Sequence, residues 1–244
     1  GALRAARMEQ GAVTRTEHRV RLQVVLDLDH TLLQAAVAPE GGSSSHHARH
    51  LHTFTLRGSV DKPRTDTRYL LGLRDGLNEF LQQVEKLATV HVYTMGSKSY
   101  ATEVVAIIDP TKELIKGRVL CRMDSAPDAF TKSLSHLFPD EERRSSALVL
   151  DDRVDAWDPP SREQLIQVPA FRCFGDDGSS YAHALPEPDS PDVTLMAMLR
   201  VIRAVHMDWS HGAAPSVAES LRVRAAAGTR PAPARPASDR HPTR

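Results

Sequence analysis

An apolar segment that ends abruptly at two carboxylates places the tightest constraint on the fold of this chain. Leu22 to Leu26 reads LQVVL and runs directly into Asp27, Leu28 and Asp29. A short, predominantly apolar run is typical of a strand that is buried on both faces of a parallel sheet. Open parallel sheets bind their ligands beyond the carboxyl ends of the strands. The sequence therefore predicts a strand at 22–26, with Asp27 and Asp29 at the edge of a site.

A second pair of carboxylates follows another apolar segment. Ala147 to Leu150 reads ALVL and is followed by Asp151 and Asp152. The carboxyl ends of parallel strands meet at one edge of a sheet, so the two acidic pairs are expected to converge. Several carboxylates in one place are hard to keep ionised without a cation, and hard oxygen ligands favour Mg²⁺.

Each of these features also has a simpler structural explanation. Asp27 and Asp29 could form a turn or cap a helix, and Asp151 and Asp152 could lie in a loop. Thr94 could simply end the strand-like segment TVHVY. However, Thr94 comes just before a Gly-Ser helix start, where a hydroxyl and free backbone N–H groups form a phosphate cradle. The coincidence of all three features favours a functional site.

The remaining apolar pattern alternates between strand-like and helix-like segments. This alternation is typical of an α/β fold with a parallel sheet and helices on both faces. The hairpin 52–56/68–73 is predicted within an insertion after the first strand. Ser190 and Pro191 predict the N-cap and first turn of a C-terminal helix. The other predicted strands are 89–93, 119–121 and 165–168, and the other predicted helices are 77–87, 97–108 and 131–137.

Composition divides the chain into a central domain and two biased ends. Residues 1–20 have little pattern and residues 227–244 are rich in Ala, Pro and Arg, so both are expected to be disordered. Between them we predict a catalytic-size domain at 21–190, with the insertion at about 39–73, and a helical extension at 191–226. Two cysteines are too few for a disulfide framework, and no apolar run is long enough to span a membrane. These features favour a location in the cytosol or nucleus, and no membrane partner is expected.

Charge and motif content exclude several functions. Residues 1–21 carry five Arg and two Glu, and residues 220–244 carry six Arg and one Asp, although the whole chain is neutral. The middle is therefore negative, which argues against direct nucleic-acid binding. There is no Gly-x4-Gly-Lys-Ser/Thr loop, which excludes a P-loop enzyme. Cys121 is followed six positions later by Pro127 rather than by Arg, which excludes a cysteine phosphatase.

Five segments together resemble one known family. They are DLDHT, VYTMGSKSYA, RVLCRMDS, TKSLSHLFP and LVLDDRVDAW, in this order between about Leu22 and Phe174. Together they resemble the phosphatase domain of the TFIIF-associating, RNA polymerase II C-terminal-domain phosphatase family, within the haloacid dehalogenase superfamily. DLDHT alone would indicate only the superfamily, whereas the second and fifth segments narrow the resemblance to this family.

The resemblance implies roles for the residues at matching positions. Asp27 matches the nucleophile that forms an aspartyl-phosphate. Asp29 matches the general acid and base, and its backbone carbonyl is expected to bind the metal. Asp27 and Asp152 are expected to provide side-chain ligands to one Mg²⁺.

The resemblance also implies which residues hold the phosphate. Thr94 and Lys132 match the positions that bind phosphate oxygens, and Asp151 is expected to orient the site through Lys132. Arg74 is expected either to help bind the phosphate or to order the hairpin. Asp75 stands where the family usually has proline, which departs from its pattern.

These residues imply a Mg²⁺-dependent protein serine/threonine phosphatase in the nucleus. The resemblance points to phosphorylated heptads of the RNA polymerase II tail as the substrate and to general transcription factors as partners. The lack of an evident cap domain favours a macromolecular substrate. Two alternatives stay open at this point: a catalytically silent binding module of the same fold, and a small-metabolite phosphatase of the superfamily.

Overall fold

A computed structural model of the protein describes residues 19–38, 51–57, 66–124, 131–175, 185 and 190–228. The strands are β1 (Leu22–Leu26), β2 (Leu33–Val37), β3 (Leu51–Leu56), β4 (Thr67–Leu73), β5 (Ala88–Tyr93), β6 (Val119–Leu120), β7 (Ala147–Asp151) and β8 (Leu165–Gln167). The α-helices are α1 (Leu77–Leu87), α2 (Lys98–Ile108), α3 (Leu134–Leu137), α4 (Glu141–Ser145), α5 (Pro159–Arg162), α6 (Thr194–Ser210) and α7 (Val217–Ala226). In this described part of the chain, no helix combines the length and the apolar character needed to cross a lipid bilayer.

Strand β1 lies at the centre of a five-stranded parallel sheet with the order β6-β5-β1-β7-β8. It pairs with β5 on one side and β7 on the other, where Leu26 is opposite Val92 and Leu150. All five residues of β1 are buried, including the polar Gln23, as expected for a central strand that is covered on both faces. The carboxyl ends of β5, β1 and β7 therefore lie side by side at one edge of the sheet.

Helices cover both faces of this sheet, which confirms the predicted α/β class. Leu22, Val24 and Leu26 point into a core that also contains apolar side chains of α1, α2 and α6. Val25 points to the opposite face, into a second core that contains side chains of α3 and Trp157. Full burial of one such aliphatic side chain stabilises the fold by about 1.5–3 kcal/mol.

The insertion after β1 forms a second, antiparallel sheet with the order β2-β4-β3. The predicted hairpin is confirmed, since β3 and β4 pair with Phe54 opposite Tyr69. Strand β2 was not predicted, because its sequence LQAAV lacks the regular alternation of apolar and polar residues. Residues 39–50 and 58–65, which connect these strands, are outside the described part of the chain.

Two predicted helix starts were wrong. Helix α6 begins at Thr194 rather than at Ser190 and Pro191. The Asp192 carboxylate, which precedes the helix, accepts a hydrogen bond from the backbone N–H of Thr194 at 2.8 Å and so satisfies one free donor of the first turn. Helix α3 begins at Leu134 rather than at residue 131, because the backbone of Lys132 forms a β-bridge with Trp157 instead.

Helix α6 completes the core. Its residues Leu195, Leu199, Ile202 and Val205 are buried in the same cluster as β1 and α1. The predicted helical extension thus packs directly on the central domain. The ends at 1–18 and 229–244, where disorder was expected, are outside the described residues, and the domain boundaries stay predictions.

His91 of β5 is a buried, neutral imidazole that lies opposite Val25 of β1. Its Nε2–H donates to Gln23 Oε1 at 2.9 Å, and its Nδ1 accepts from the backbone N–H of Arg118 at 2.9 Å. Burial, assisted by the charges of Arg118 and Arg143, lowers the pKa of His91 to about 4. A second ring proton would also break the bond from Arg118, so the folded protein resists protonation at this site.

We expect His91 to make the protein less stable in mild acid. Between pH 6.5 and 4 the unfolded chain binds a proton at this residue and the folded chain does not, so the free energy of unfolding falls as the pH falls. His91 should account for a loss of about 2 kcal/mol between pH 7.5 and pH 5. Urea unfolding of the wild type and of His91→Gln at both pH values measures this contribution. An identical pH dependence in the two proteins would contradict it.

Candidate active site

Three carboxylates converge at the carboxyl edge of the central sheet. Asp27 follows β1, Asp151 ends β7, and Asp152 follows it, and each offers an oxygen within 4.8 Å of the other two. The backbone N–H of Asp27 donates to Leu150 O at 3.0 Å, which fixes the acidic pairs relative to each other. Asp27 and Asp151 are buried, and Asp152 is half-buried. The convergence expected from two apolar strands is therefore present.

Lys132 lies between two of these carboxylates. Its Nζ is 2.5 Å from Asp27 Oδ1 and 2.7 Å from Asp151 Oδ2, and only 2% of the side chain is exposed. Burial opposes the charged form, but Asp27 and Asp151 outweigh it and raise the pKa of Lys132. The lysine is therefore a fixed cation at the base of the acidic cluster.

The Lys132 backbone is held as firmly as its side chain. Its N–H donates to Ala156 O at 2.7 Å, and its carbonyl accepts from the N–H of Asp158 at 2.9 Å. The rings of Tyr93 and Trp157 have their centroids 5.9 and 5.5 Å from Nζ, within range of cation–π attraction.

Asp151 orients the lysine because its own carboxylate is held by three donors. These are Lys132 Nζ, Trp157 Nε1–H at 2.7 Å and the backbone N–H of Arg153 at 2.8 Å. Trp157 is fully buried, and no role was predicted for it. Its position in the LVLDDRVDAW segment carried no sign that the indole N–H would reach a carboxylate.

Tyr100 of α2 was also missed, although it contacts a predicted catalytic residue. Its hydroxyl donates to Asp29 Oδ1, and its ring packs with Phe54 and Tyr69 of the second sheet. Burial raises the pKa of Asp29, while the bond from Tyr100 opposes this. A side chain at Gly96 would place Cβ 2.5 Å from the Tyr100 ring, so glycine is required there for the ring to approach.

Thr94 occupies the expected position, directly after β5 and one strand away from Asp27. Its N–H donates to Leu120 O at 3.0 Å, and its Oγ1 accepts from the N–H of Gly96 at 3.0 Å. Ser97 caps α2 as predicted, since its hydroxyl accepts from the N–H of Tyr100 at 3.2 Å. The hydroxyl of Thr94 and the start of α2 therefore share the edge that carries the acidic cluster.

Arg74 is buried, and its guanidinium is engaged by other parts of the protein. Nε lies 2.7 Å from Asp192 Oδ2, and Nη1 donates to Thr31 O at 2.9 Å. Thr31 Oγ1 in turn accepts from the N–H of Asp152 at 3.0 Å. Arg74 thus links the start of α6 to the loop after β7, and its role as a phosphate ligand stays a prediction.

The electrostatics of the cluster fit a hard divalent cation. Burial raises the pKa of Asp27 to about 8, with Lys132 opposing and Asp151 assisting, and burial and Asp151 also raise the pKa of Asp152. One lysine cannot balance three ionised carboxylates, so the donor set carries excess negative charge. A divalent ion bound by these oxygens would offset that charge and favour the ionised forms.

Comparison with known proteins identifies relatives of the chain. The sequence profile of the NLI interacting factor-like phosphatase family matches residues 22–187. An RNA polymerase II C-terminal domain phosphatase of Schizosaccharomyces pombe is 37% identical over 196 residues, which cover 76% of this chain. The corresponding phosphatase of Encephalitozoon cuniculi is 37% identical over 158 residues, which cover 65% of this chain. These matches span only 26% and 34% of the two relatives.

The fold also matches a solved structure. The chain superimposes on Fcp1, an essential RNA polymerase II CTD phosphatase, with a TM-score of 0.64 and 25% sequence identity. The superposition covers 93% of this chain and 70% of that one. A variant of the fission yeast RNA polymerase II CTD phosphatase Fcp1, bound to beryllium fluoride, matches with the same TM-score and identity.

We expect Lys132→Met to destabilise the metal-free protein by about 3 kcal/mol, because it leaves Asp27 and Asp151 buried without their cation. Urea unfolding in the presence of a chelator measures the loss. Lys86→Met is the matched control, since Lys86 is exposed on α1 and should change stability by less than about 0.5 kcal/mol. Equal stability of Lys132→Met and the wild type would show that the charge cluster contributes nothing to folding.

Proposed function

Because the chain belongs to the NLI interacting factor-like phosphatase family, we propose that it is a Mg²⁺-dependent protein serine/threonine phosphatase. The substrate proposed is the phosphorylated heptad tail of RNA polymerase II, which places the protein in the nucleus. One observation carries the proposal: Asp27, Asp151 and Asp152 converge around buried Lys132 in a chain whose relatives carry that phosphatase name. These relatives are much longer than this chain, so activity and substrate need a direct test.

In the proposed reaction Asp27 is the nucleophile. One of its carboxylate oxygens forms a bond to phosphorus while the bond from phosphorus to the seryl or threonyl oxygen breaks. Asp29 gives a proton to that leaving oxygen. In the second step Asp29 takes a proton from a water molecule whose oxygen attacks the same phosphorus. The Asp27–phosphorus bond then breaks, which releases inorganic phosphate and restores both carboxyl groups.

The proposed phosphate site consists of Lys132 and Thr94, with Arg74 as a further candidate. Lys132 is already oriented toward Asp27 by Asp151, so its ammonium group lies where negative charge develops during transfer. Since both contacts are made before substrate binds, little reorganisation is needed at the moment of reaction.

The proposed Mg²⁺ ligands are the carboxylates of Asp27 and Asp152 and the backbone carbonyl of Asp29. The ion would supply positive charge that stabilises ionised Asp27 and the phosphoryl oxygens. Lys132 and Asp151 lie beside these ligands. Lys132 is proposed to act on the phosphate, and Asp151 is proposed to orient Lys132.

A peptide substrate suits the architecture at this edge. The described residues between β1 and β7 form the antiparallel sheet, strands β5 and β6, helices α1 to α4 and their connections, and they include no separate cap domain over Asp27. The antiparallel sheet packs beside the site through Phe54, Tyr69 and Tyr100. A proline-containing extended peptide loses little entropy on binding to an open site of this kind. General transcription factors are proposed as partners on the resemblance alone.

The proposal predicts that Asp27→Asn reduces Mg²⁺-dependent turnover of p-nitrophenyl phosphate at least about a thousandfold, because an amide is a poor nucleophile. Asp155→Asn removes an exposed carboxylate from the same region and should leave the rate unchanged. Wild-type protein without turnover would favour a silent binding module. Faster turnover of sugar or nucleotide phosphates than of phosphopeptides would favour a metabolite phosphatase.

Tyr100→Phe should lower kcat about tenfold with little change in KM, because Asp29 loses the hydrogen bond that orients it. Tyr69→Phe is the matched control, since it removes a hydroxyl from the same aromatic cluster without removing a bond to Asp29. Steady-state kinetics on a phosphopeptide distinguish the two. Equal kcat values for both variants would contradict a positioning role for Tyr100.

A further inference from the structure

The amino edge of the central sheet, opposite the acidic cluster, carries a basic cavity. Its volume is about 480 Å³, and it lies where β1 and β5 begin, beside the turn between α3 and α4. Polar side chains of Gln23, Thr89 and His91 contribute to its lining. The cationic lining residues, which we call the basic wall, are Arg21, Lys116, Arg118 and Arg143.

The basic wall has more positive charge than its neighbours neutralise. No carboxylate lines the cavity among the described residues. Glu85 lies nearby and is shared by Lys116 at 2.9 Å and Arg21 at 3.9 Å. Arg118 Nη1 donates to the carbonyls of Leu137 at 2.7 Å and His136 at 3.2 Å, which fixes its guanidinium without neutralising it.

Arg143 is the least engaged member of the basic wall. Its guanidinium makes no hydrogen bond or ion pair within the described part of the chain, whereas its backbone N–H is bound by Asp140. The charges of Arg118 and Arg143 both act on buried His91, whose lowered pKa reflects burial first and these cations second. The positive charge of the wall therefore acts on His91, which also lines the cavity.

We propose that this cavity is a docking site for a phosphorylated residue of a peptide whose second phosphorylated residue occupies the active site. Guanidinium groups bind phosphate oxygens through paired, charge-assisted hydrogen bonds, and both Arg118 and Arg143 line this cavity. The inference rests on the proposed function, because it assigns the site to a multiply phosphorylated peptide substrate.

The dimensions of the sheet permit one peptide to reach both sites. Gln23 lies near the start of β1 and Asp27 directly follows its end, so the two residues are separated by about 13 Å in the strand direction. Seven extended residues span about 23 Å and fourteen span about 46 Å. A peptide of three repeats can therefore pass around the sheet and contact both edges, whereas a single repeat with one phosphate cannot occupy both sites.

The lining favours a peptide over a nucleic acid. Its aromatic rings, His91 and Phe138, are buried and packed edge to face with centroids 5.0 Å apart, so neither offers a face on which a base could stack. The cations surround a concavity rather than a flat surface, which suits a single phosphate group. Binding to an anionic membrane is an outcome that the experiment must distinguish.

The test compares two synthetic phosphopeptides on the full chain. One has three heptads with phosphoserine in the first and third, and the other has one heptad with one phosphoserine. Arg143→Glu should raise KM for the long peptide about tenfold, leave kcat unchanged, and leave both constants unchanged for the short peptide. Arg143→Lys should retain part of the effect. Arg200→Glu, which changes an exposed arginine on α6, is the control of equal charge.

Binding of the fluorescently labelled long peptide to Asp27→Asn protein, with and without Arg143→Glu, provides a readout that needs no turnover. Arg143-dependent binding, together with no hydrolysis of either peptide by protein that retains Asp27, would support the docking site and contradict the proposed enzyme activity. Hydrolysis of both peptides with no selective effect of Arg143→Glu would contradict the docking site alone. An equal rise in KM for the long peptide in Arg200→Glu would also overturn the docking site. Arg143-dependent binding that occurs only with phosphatidylserine vesicles would overturn it as well.

Discussion

The structure depends on a lysine that is buried between two carboxylates. Lys132 Nζ contacts Asp27 and Asp151, which end adjacent parallel strands, so this contact fixes the edge at which the site lies. Removing three charged groups from water costs several kcal/mol for each ion, and this cost is offset only by good geometry and additional donors. Trp157 and the backbone of Arg153 provide those donors. Much of the polar structure around β7 serves to keep this cluster in place.

The central sheet and the acidic cluster could be predicted because they depend on local patterns. Continuously apolar strands are readily identified in a sequence, and chain direction in a parallel sheet brings their carboxyl ends together. Asp27, Thr94 and Asp151 each follow or end such a strand, so their proximity follows from topology alone. The roles given to these residues came from the family resemblance, and they stay proposals here.

The features that could not be predicted depend on contacts between distant segments. Tyr100 reaches Asp29 across 71 positions, and Arg74 reaches Asp192 across 118. No periodicity marks such pairs, since tyrosine on an apolar helix face is typical of a core residue. The predicted start of α6 was wrong for the same reason. Asp192, which is held by Arg74, binds the first N–H of the helix, and Ser190 does not cap it. Strand β2 was missed because its pairing with β4 determines its conformation.

Whether Asp27 accepts the phosphoryl group can be seen in a crystal structure with Mg²⁺ and beryllium fluoride. We expect beryllium to be bonded to a carboxylate oxygen of Asp27, with Lys132 and Thr94 contacting the fluorides and the metal held by Asp27 and Asp152. An adduct on another residue, or a metal bound away from these carboxylates, would contradict it.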